Sequence, residues 1–180
     1  MCWMYKELTN MKIIIRKARR GDGKGIAESF NEGIKRKFNI YTGRNQLFDK
    51  KQIKKIEKDI KEKSKYNFSY VAIDKNNKKI IGNAMLFGKG KGRVRHRAEI
   101  GWGVHPDYTR KGIATRLIYS LIKEAKRIGF KRLEAEVAIK NKASIRLAKR
   151  MGFKIEGRKK CGLILDNGKC IDTLIFGKVI

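Results

Sequence analysis

The chain has 180 residues, 46 of them Lys or Arg and 17 Asp or Glu, for a formal net charge of +29. With 41% hydrophobic residues it can bury one sizeable core, which excludes wholesale disorder. No apolar run approaches the ~20 residues of a membrane helix, and residues 1–10 lack the apolar stretch of a signal peptide, so a cytoplasmic protein with no membrane partner is expected. Residues 1–10 read as an N-terminal extension to a single domain over residues 11–180. Ile13, Ile14 and Ile15 predict a first strand. Asp22 predicts a cap for a helix from Gly23 to Phe38, with Ile26, Phe30, Ile34 and Phe38 on one face. A second helix is expected from Asp49 to Lys63, with a thin stripe of Ile53, Ile56 and Ile60. Phe68 to Asp74 and Ile80 to Phe87 read as a hairpin, and Ala98 to Val104 as a further strand. Ile113 to Ile128 has the clearest helical periodicity, ended by Gly129. A strand from Leu133 to Ile139 and a short helix from Asn141 to Met151 follow. Two last strands, Phe153 to Leu165 and Cys170 to Val179, flank the turn Asp166-Asn167-Gly168. The order βααβββαβαββ defines an α+β or mixed α/β layer protein.

Three cysteines, Cys2, Cys161 and Cys170, without a C-x-x-C pair suggest reduced thiols, and two histidines are too few for an obvious zinc set. The positive charge has two readings. It attracts polyanions such as nucleic acid or a phosphate-rich cofactor, or it is spread over solvated faces.

Most of the chemistry lies in Glu99 to Ala114, EIGWGVHPDYTRKGIA. A strand passes through a turn into a helix opening at Arg110-Lys111-Gly112-Ile113-Ala114. Free N–H groups at a helix start, reinforced by the helix dipole, form an anion site. Gly112 and Ala114 let a phosphate approach the backbone, while Arg110, Lys111 and Arg116 supply full charges.

VHPDYTRKGIATRLI resembles the acetyl-CoA loop of the GNAT superfamily of N-acetyltransferases. NKASIRLAKRMGFK resembles that family's next motif, Asn-x-x-Ala/Ser-Ile-x-Leu followed by Gly-Phe. The tail, with Gly157, Gly168 and Ile171-Asp172, is similar to the phosphinothricin-acetyltransferase-like branch. The resemblance covers residues 11–180 and implies a central mixed, mostly antiparallel sheet of six to seven strands flanked by four helices. It implies acetyl-CoA as cosubstrate and no metal. The pantetheine arm would lie between the strands Ala98–Val104 and Leu133–Ile139, with the thioester against the main chain of Gly103 and Val104. The pyrophosphate would sit on the N–H groups of Arg110, Lys111, Gly112, Ile113, Ala114 and Thr115. Asn141 would contact the cofactor arm, with Ser144 nearby. Glu99 matches the strand glutamate that serves as base in the branch, and Glu134 and Glu136 are secondary candidates beside a solvated-face reading. The family's first loop position, Gln or Arg, is here Thr109. A tyrosine common after the second motif, acid for the departing thiolate, is here Ala148. A thiol pKa of about 8.5 lets the thiolate leave with little help, and Tyr108 or Tyr119 are poor substitutes.

The resemblance implies an acceptor site built from the first two helices, where Glu28 and Glu32 project together. A small-molecule primary amine or amino acid is the first expectation. Alternatives are a protein N-terminus or lysine on ribosomal or RNA-rich partners, or a non-enzymatic nucleic-acid-binding module. A homodimer joined through the last strand is a family possibility. Gly21 to Gly25 reads as a turn and cap, because the Lys-Ser/Thr ending of a nucleotide loop is missing. GKGKGRVRHR, residues 88–97, resembles RNA-binding segments in composition and equally a solvated loop. Trp102 is expected in the core and His105 in a turn, and no role is given to His96. Asp172 is open between acceptor contact and a local ion pair.

Overall fold

The computed structural model describes residues 12–37, 43, 46–62, 66–90 and 92–180. Among them the chain forms strands β1 (Ile13–Lys17), β2 (Asn67–Asp74), β3 (Lys79–Gly88), β4 (Arg97–Val104), β5 (Arg132–Ala138), β6 (Lys154–Ile164) and β7 (Cys170–Val179). The helices are α1 (Gly23–Lys35), α2 (Lys50–Lys61), α3 (Ile113–Arg127) and α4 (Lys142–Arg150). One seven-stranded sheet runs in the order β1-β2-β3-β4-β5-β7-β6. Every ladder is antiparallel except β4–β5. The expected element order and mixed, mostly antiparallel sheet are therefore observed, with the one parallel pair at the centre. The expected Phe38 and Lys63 helix ends lie outside the described residues, as do residues 1–10 and Cys2.

The principal core lies between one sheet face and α3. Leu117, Ile118, Leu121 and Ala125 of α3 pack with Ala84 and Leu86 of β3, Ile100 of β4, Leu133 and Ala135 of β5 and Phe176 of β7. Burying one such Leu or Ile side chain contributes about 1.5–3 kcal/mol, so this layer dominates stability. Leu147 and Ala148 bring α4 onto the same core, and Phe153 seals it. On the opposite face α1 buries Ile26, Ala27 and Ile34. None of the α2 residues is buried. It is held instead by polar ends: Asp49 and Gln52 form a reciprocal capping box.

Two sequence expectations are corrected here. Asp22 does not cap α1, because its carboxylate is taken by the Arg16 guanidinium at 2.6 and 2.8 Å and the Arg19 N–H at 2.8 Å. Glu57 of α2 does the capping, accepting from the N–H groups of Gly23 and Gly21. A carboxylate from one helix thus satisfies the start of another. Nor are Cys161 and Cys170 reduced thiols: they form a disulfide with Cα atoms 4.8 Å apart. A register slip between Lys159 and Leu163 puts Lys160, Cys161 and Gly162 opposite the single Asp172. Cys161 sits at φ +49 in that bulge, a placement no cysteine spacing reveals.

Candidate active site

The site begins where the sheet parts. β4 and β5 are registered only at Arg97↔Arg132, Ala98↔Leu133 and Glu99↔Glu134. β4 continues to Val104 and β5 to Ala138 with no further pairing between them. The result is a wedge that opens toward the C-terminal ends of both strands, where ligands gather in sheets with a parallel pair.

At the open end, β4 leads through a short 3-10 turn, Pro106–Tyr108, into α3. His105 has the turn role expected of it, accepting from the Asp107 N–H at 3.3 Å. Arg110 and Gly112 both have positive φ, +59 and +72, which wraps the loop around the helix start. Gly112 caps α3 without a side-chain acceptor. The first helical bond at the cap runs from the Arg116 N–H to the Gly112 carbonyl, at 3.1 Å. The N–H groups of Ile113, Ala114 and Thr115 therefore have no acceptor within the helix. A Cβ at Gly112 would meet nothing within 4 Å, so the backbone is open to an approaching group. Lys111 arches over the Tyr108 ring, 5.3 Å from its centroid. Among the loop residues expected to bind, Arg110, Lys111, Gly112, Ile113, Ala114 and Thr115 are thus brought together at one helix start.

The other arm of the wedge ends at Asn141, whose side chain accepts from the Ser144 N–H at 3.0 Å and caps α4. Ala148 is fully buried on the core side of α4. Tyr108 is pinned elsewhere: it donates to Asp74 at 3.1 Å and accepts from Asn77 at 3.0 Å. Tyr119 is 65% exposed on α3 and lines a groove with Ile15, Thr115, Arg116 and Ser120.

The face of β4 turned to α1 carries Glu99, Gly101 and Gly103, while Ala98 and Ile100 point into the core. Phe30 of α1 covers Gly103, since a Cβ there would lie 3.3 Å from its ring. Phe30 stacks on Phe48, with centroids 5.3 Å apart. Asn31 clamps Phe48 through both backbone groups, at 2.8 and 3.0 Å. α1 and the segment before α2 thus cover the Gly103 end of β4.

On the same sheet face, nearer the start of β4, lies a grid of charges. Glu99 pairs with Lys89 at 2.6 Å and is nearly half exposed. Glu136 accepts from Thr173 at 2.5 Å and from Lys159 at 2.6 Å. The Lys159 pKa is raised, first by that hydrogen bond and then by the Coulomb fields of Glu136 and Glu99, so both carboxylates bear on one ammonium. Glu134 is different. Burial pushes its carboxyl up, but hydrogen bonds from Arg132 and Arg97 outweigh this and hold it below the usual range. Arg132 also binds Glu156. Glu134 is therefore a fixed anion of the Arg97–Arg132 cluster and a poor proton acceptor.

The structure does not bring Glu28 or Glu32 to this grid. Glu28 lies 3.8 Å from Lys24, in solvent, and Glu32 pairs with Lys35 and Arg36. Asp172 is the local ion pair of its two readings, bound to Arg158 at 2.6 Å, Lys160 at 3.5 Å and the Cys161 N–H at 2.9 Å. Trp102 is half-buried against the core. One residue was missed from the sequence. Asn83 of β3 is registered opposite Gly103 and only 2% exposed. Its Nδ2 is the one buried side-chain polar atom among the described residues without a hydrogen-bond partner. A lone amide inside the apolar run IIGNAMLF was the available signal.

Comparison with known proteins places these features. The acetyltransferase (GNAT) family matches residues 35–153, well over half of the chain. The chain belongs to this family. It is 34% identical over 84 residues to the uncharacterized N-acetyltransferase YoaA of Bacillus subtilis strain 168. That match covers 46% of this chain and 47% of YoaA, so it spans about half the length of the curated relative. Among solved structures, yncA of Salmonella typhimurium, determined with its cofactor acetyl-CoA, superposes with a TM-score of 0.78 at 22% identity, covering 93% of each chain. A ribosomal-protein-alanine N-acetyltransferase of Brucella melitensis gives 0.79 at 22%, covering 93% of this chain and 99% of its own. A protein assigned as a phosphinothricin N-acetyltransferase gives 0.80 at 21%, covering 93% and 98%. These likenesses establish the shared fold, and their near-equal scores select no acceptor.

Proposed function

We propose that the protein is an acetyl-CoA-dependent N-acetyltransferase that acts on a primary amine. The observation that carries this reading is the β4–β5 wedge with an unfilled helix start at its mouth. The residues fit the donor. Free N–H groups and open space at Gly112 suit a pyrophosphate, with Arg110, Lys111 and Arg116 adding charge. Asn141 and Ser144 at the start of α4 line the other arm, and the main chain of Gly103 and Val104 would hold the thioester end. Bound there, acetyl-CoA supplies an activated acetyl group.

The chain's own residues would then do three things. Binding donor and amine together removes the entropic cost of their encounter. A β4 N–H aimed at the thioester oxygen stabilises the charge that grows there as the amine nitrogen bonds to the carbonyl carbon. Glu99 takes the amine's proton, directly or through water, while the C–S bond breaks and the thiolate leaves. No tyrosine stands at residue 148, and the thiolate's low basicity makes an acid dispensable. Asn83 holds a buried amide beside Gly103, its Oδ1 3.7 Å from where a Gly103 Cβ would stand.

A small-molecule acceptor is supported by the mixed charge on the sheet face beside the wedge. Glu99 and Glu136 suit an ammonium, and Lys89 and Lys159 suit a carboxylate on the same molecule. An amino acid presents both. The test is thiol release from acetyl-CoA across a panel of amines and amino acids. Release above the hydrolysis rate that falls in Glu99→Gln supports the reading. A flat panel at saturating acetyl-CoA overturns it.

A further inference from the structure

We propose that the end of the sheet opposite the α3 N-terminus is a docking surface for single-stranded nucleic acid. This goes beyond the acetyltransferase reading and does not depend on it.

The topology gathers basic segments at that end. Among the described residues, 88–98, 125–133 and 149–154 hold eleven Lys or Arg, of which Lys89, Arg97, Arg127 and Arg132 pair with Glu99, Glu134, Glu124 and Glu156. They meet where β3 ends, β4 and β5 begin, and α3 and α4 finish. The Lys131 and Arg132 N–H groups bond to the His96 carbonyl at 2.9 and 3.2 Å, and the Ile180 N–H to the Lys131 carbonyl at 2.9 Å. His96 is thereby fixed against the α3–β5 turn.

The remaining cations of this end differ in state from the paired ones. Lys89, Arg97, Arg127 and Arg132 are paired with glutamates, as is Lys159 nearby. Arg93, Arg95, Lys131, Lys149, Arg150 and Lys154 are exposed, and among the described residues none has an acidic partner. Unpaired cations retain a full field for phosphates and a full shell of counterions to release.

Between them lies a groove lined by Tyr66, Arg95, His96, Phe130 and Lys131. Tyr66 is 54% exposed, and it sits edge-on to the buried Phe130, with centroids 6.2 Å apart. That contact steadies an aromatic surface between a guanidinium and an ammonium. A base can stack on such a ring while its flanking phosphates meet the cations. A flat anionic bilayer would meet only the rim of the groove, so the concavity favours a strand with splayed bases. The length of β4 places the groove about 23 Å from the α3 loop, at ~3.3 Å per residue, so the two sites can be occupied together.

The experiment is fluorescence anisotropy of a labelled 20-nucleotide RNA, with single-stranded DNA, duplex DNA, heparin and anionic phosphatidylserine vesicles as parallel arms, on nuclease-treated full-length protein. Single strands should bind best, and log affinity should fall linearly with log salt. Each phosphate contact contributes about 0.7 to that slope, so Arg95→Ala with Lys131→Ala should lower it by about 1.4. Tyr66→Ala should weaken RNA about tenfold, as expected for loss of one stacked base, and leave heparin unchanged, whereas Tyr66→Phe should retain RNA affinity. Lys51→Ala with Lys54→Ala on α2 should change little. The proposal is overturned by no RNA binding at 50 mM salt, by equal loss in the α2 variant, by heparin and RNA responding alike to Tyr66→Ala, or by vesicles outcompeting RNA.

Discussion

Replacing Asn83 with Leu separates stability from activity. The side chain is 2% exposed and its Nδ2 lacks an acceptor among the described residues. A buried unpaired amide costs about 1–3 kcal/mol, and an apolar side chain of similar volume removes that cost. Asn83→Leu should therefore raise unfolding free energy by about 1–2 kcal/mol after allowance for imperfect packing. For a chain of this length that is a Tm increase of about 2–8 °C. On the proposal that the Asn83 amide serves the thioester held at Gly103, acetyl transfer should fall about tenfold. Scanning calorimetry and thiol-release kinetics on the same samples test both halves. A destabilised variant would show that the amide already has a partner. A stabilised variant with unchanged kcat/KM would show that the amide serves no step.

Four further outcomes are expected. Glu99→Gln should lower kcat by about 10²–10⁴, and an unchanged kcat would reassign the base. Gly112→Ala, forced to φ near +72 with open space around it, should cost about 1–2 kcal/mol of loop strain and weaken acetyl-CoA binding, measured by titration. Arg127, opposed by burial and aided by Lys17, holds the Glu124 carboxyl at about 2, against 4.5. That depressed pKa means stability is intact above about 4.5 and is lost as pH falls toward 2, and Glu124→Gln should flatten the loss in acid denaturation. Titration of unfolded, unreduced protein should find one free thiol, Cys2, and three after reduction; three without reductant would refute the Cys161–Cys170 bond.

The main-chain framework was legible because local signals agreed. Ile113 to Ile128 had helical periodicity over four turns and a terminal Gly129, and the helix ends at Arg127. Asp166-Asn167-Gly168 announced a hairpin, and Gly168 adopts φ +77 there. The turn into α3 was legible for the same reason, since Arg110, Lys111 and Gly112 are consecutive and Gly112 takes φ +72 at the cap. What was illegible depends on partners distant in sequence. Asp22 looks like a helix cap until Arg16 claims it, and Glu57 takes that task from another helix. Glu28 and Glu32 share a helix face, but sequence cannot say that the face meets lysines and solvent. The disulfide follows from a bulge, which periodicity averages away. Asn83 became informative only when Gly103 was found opposite it. Glu134 and Glu136 stand two residues apart, yet only the structure divides a caged anion from one that shares Lys159 with Glu99.

Calorimetric titration of the nuclease-treated protein with acetyl-CoA, at low and high salt and with ATP as the polyanion control, tests the donor site directly. One-to-one micromolar binding that survives high salt and exceeds that of ATP is the predicted result. Equal binding of both ligands, fading together with salt, would mean that the helix start offers only charge and that the wedge holds no acetyl donor.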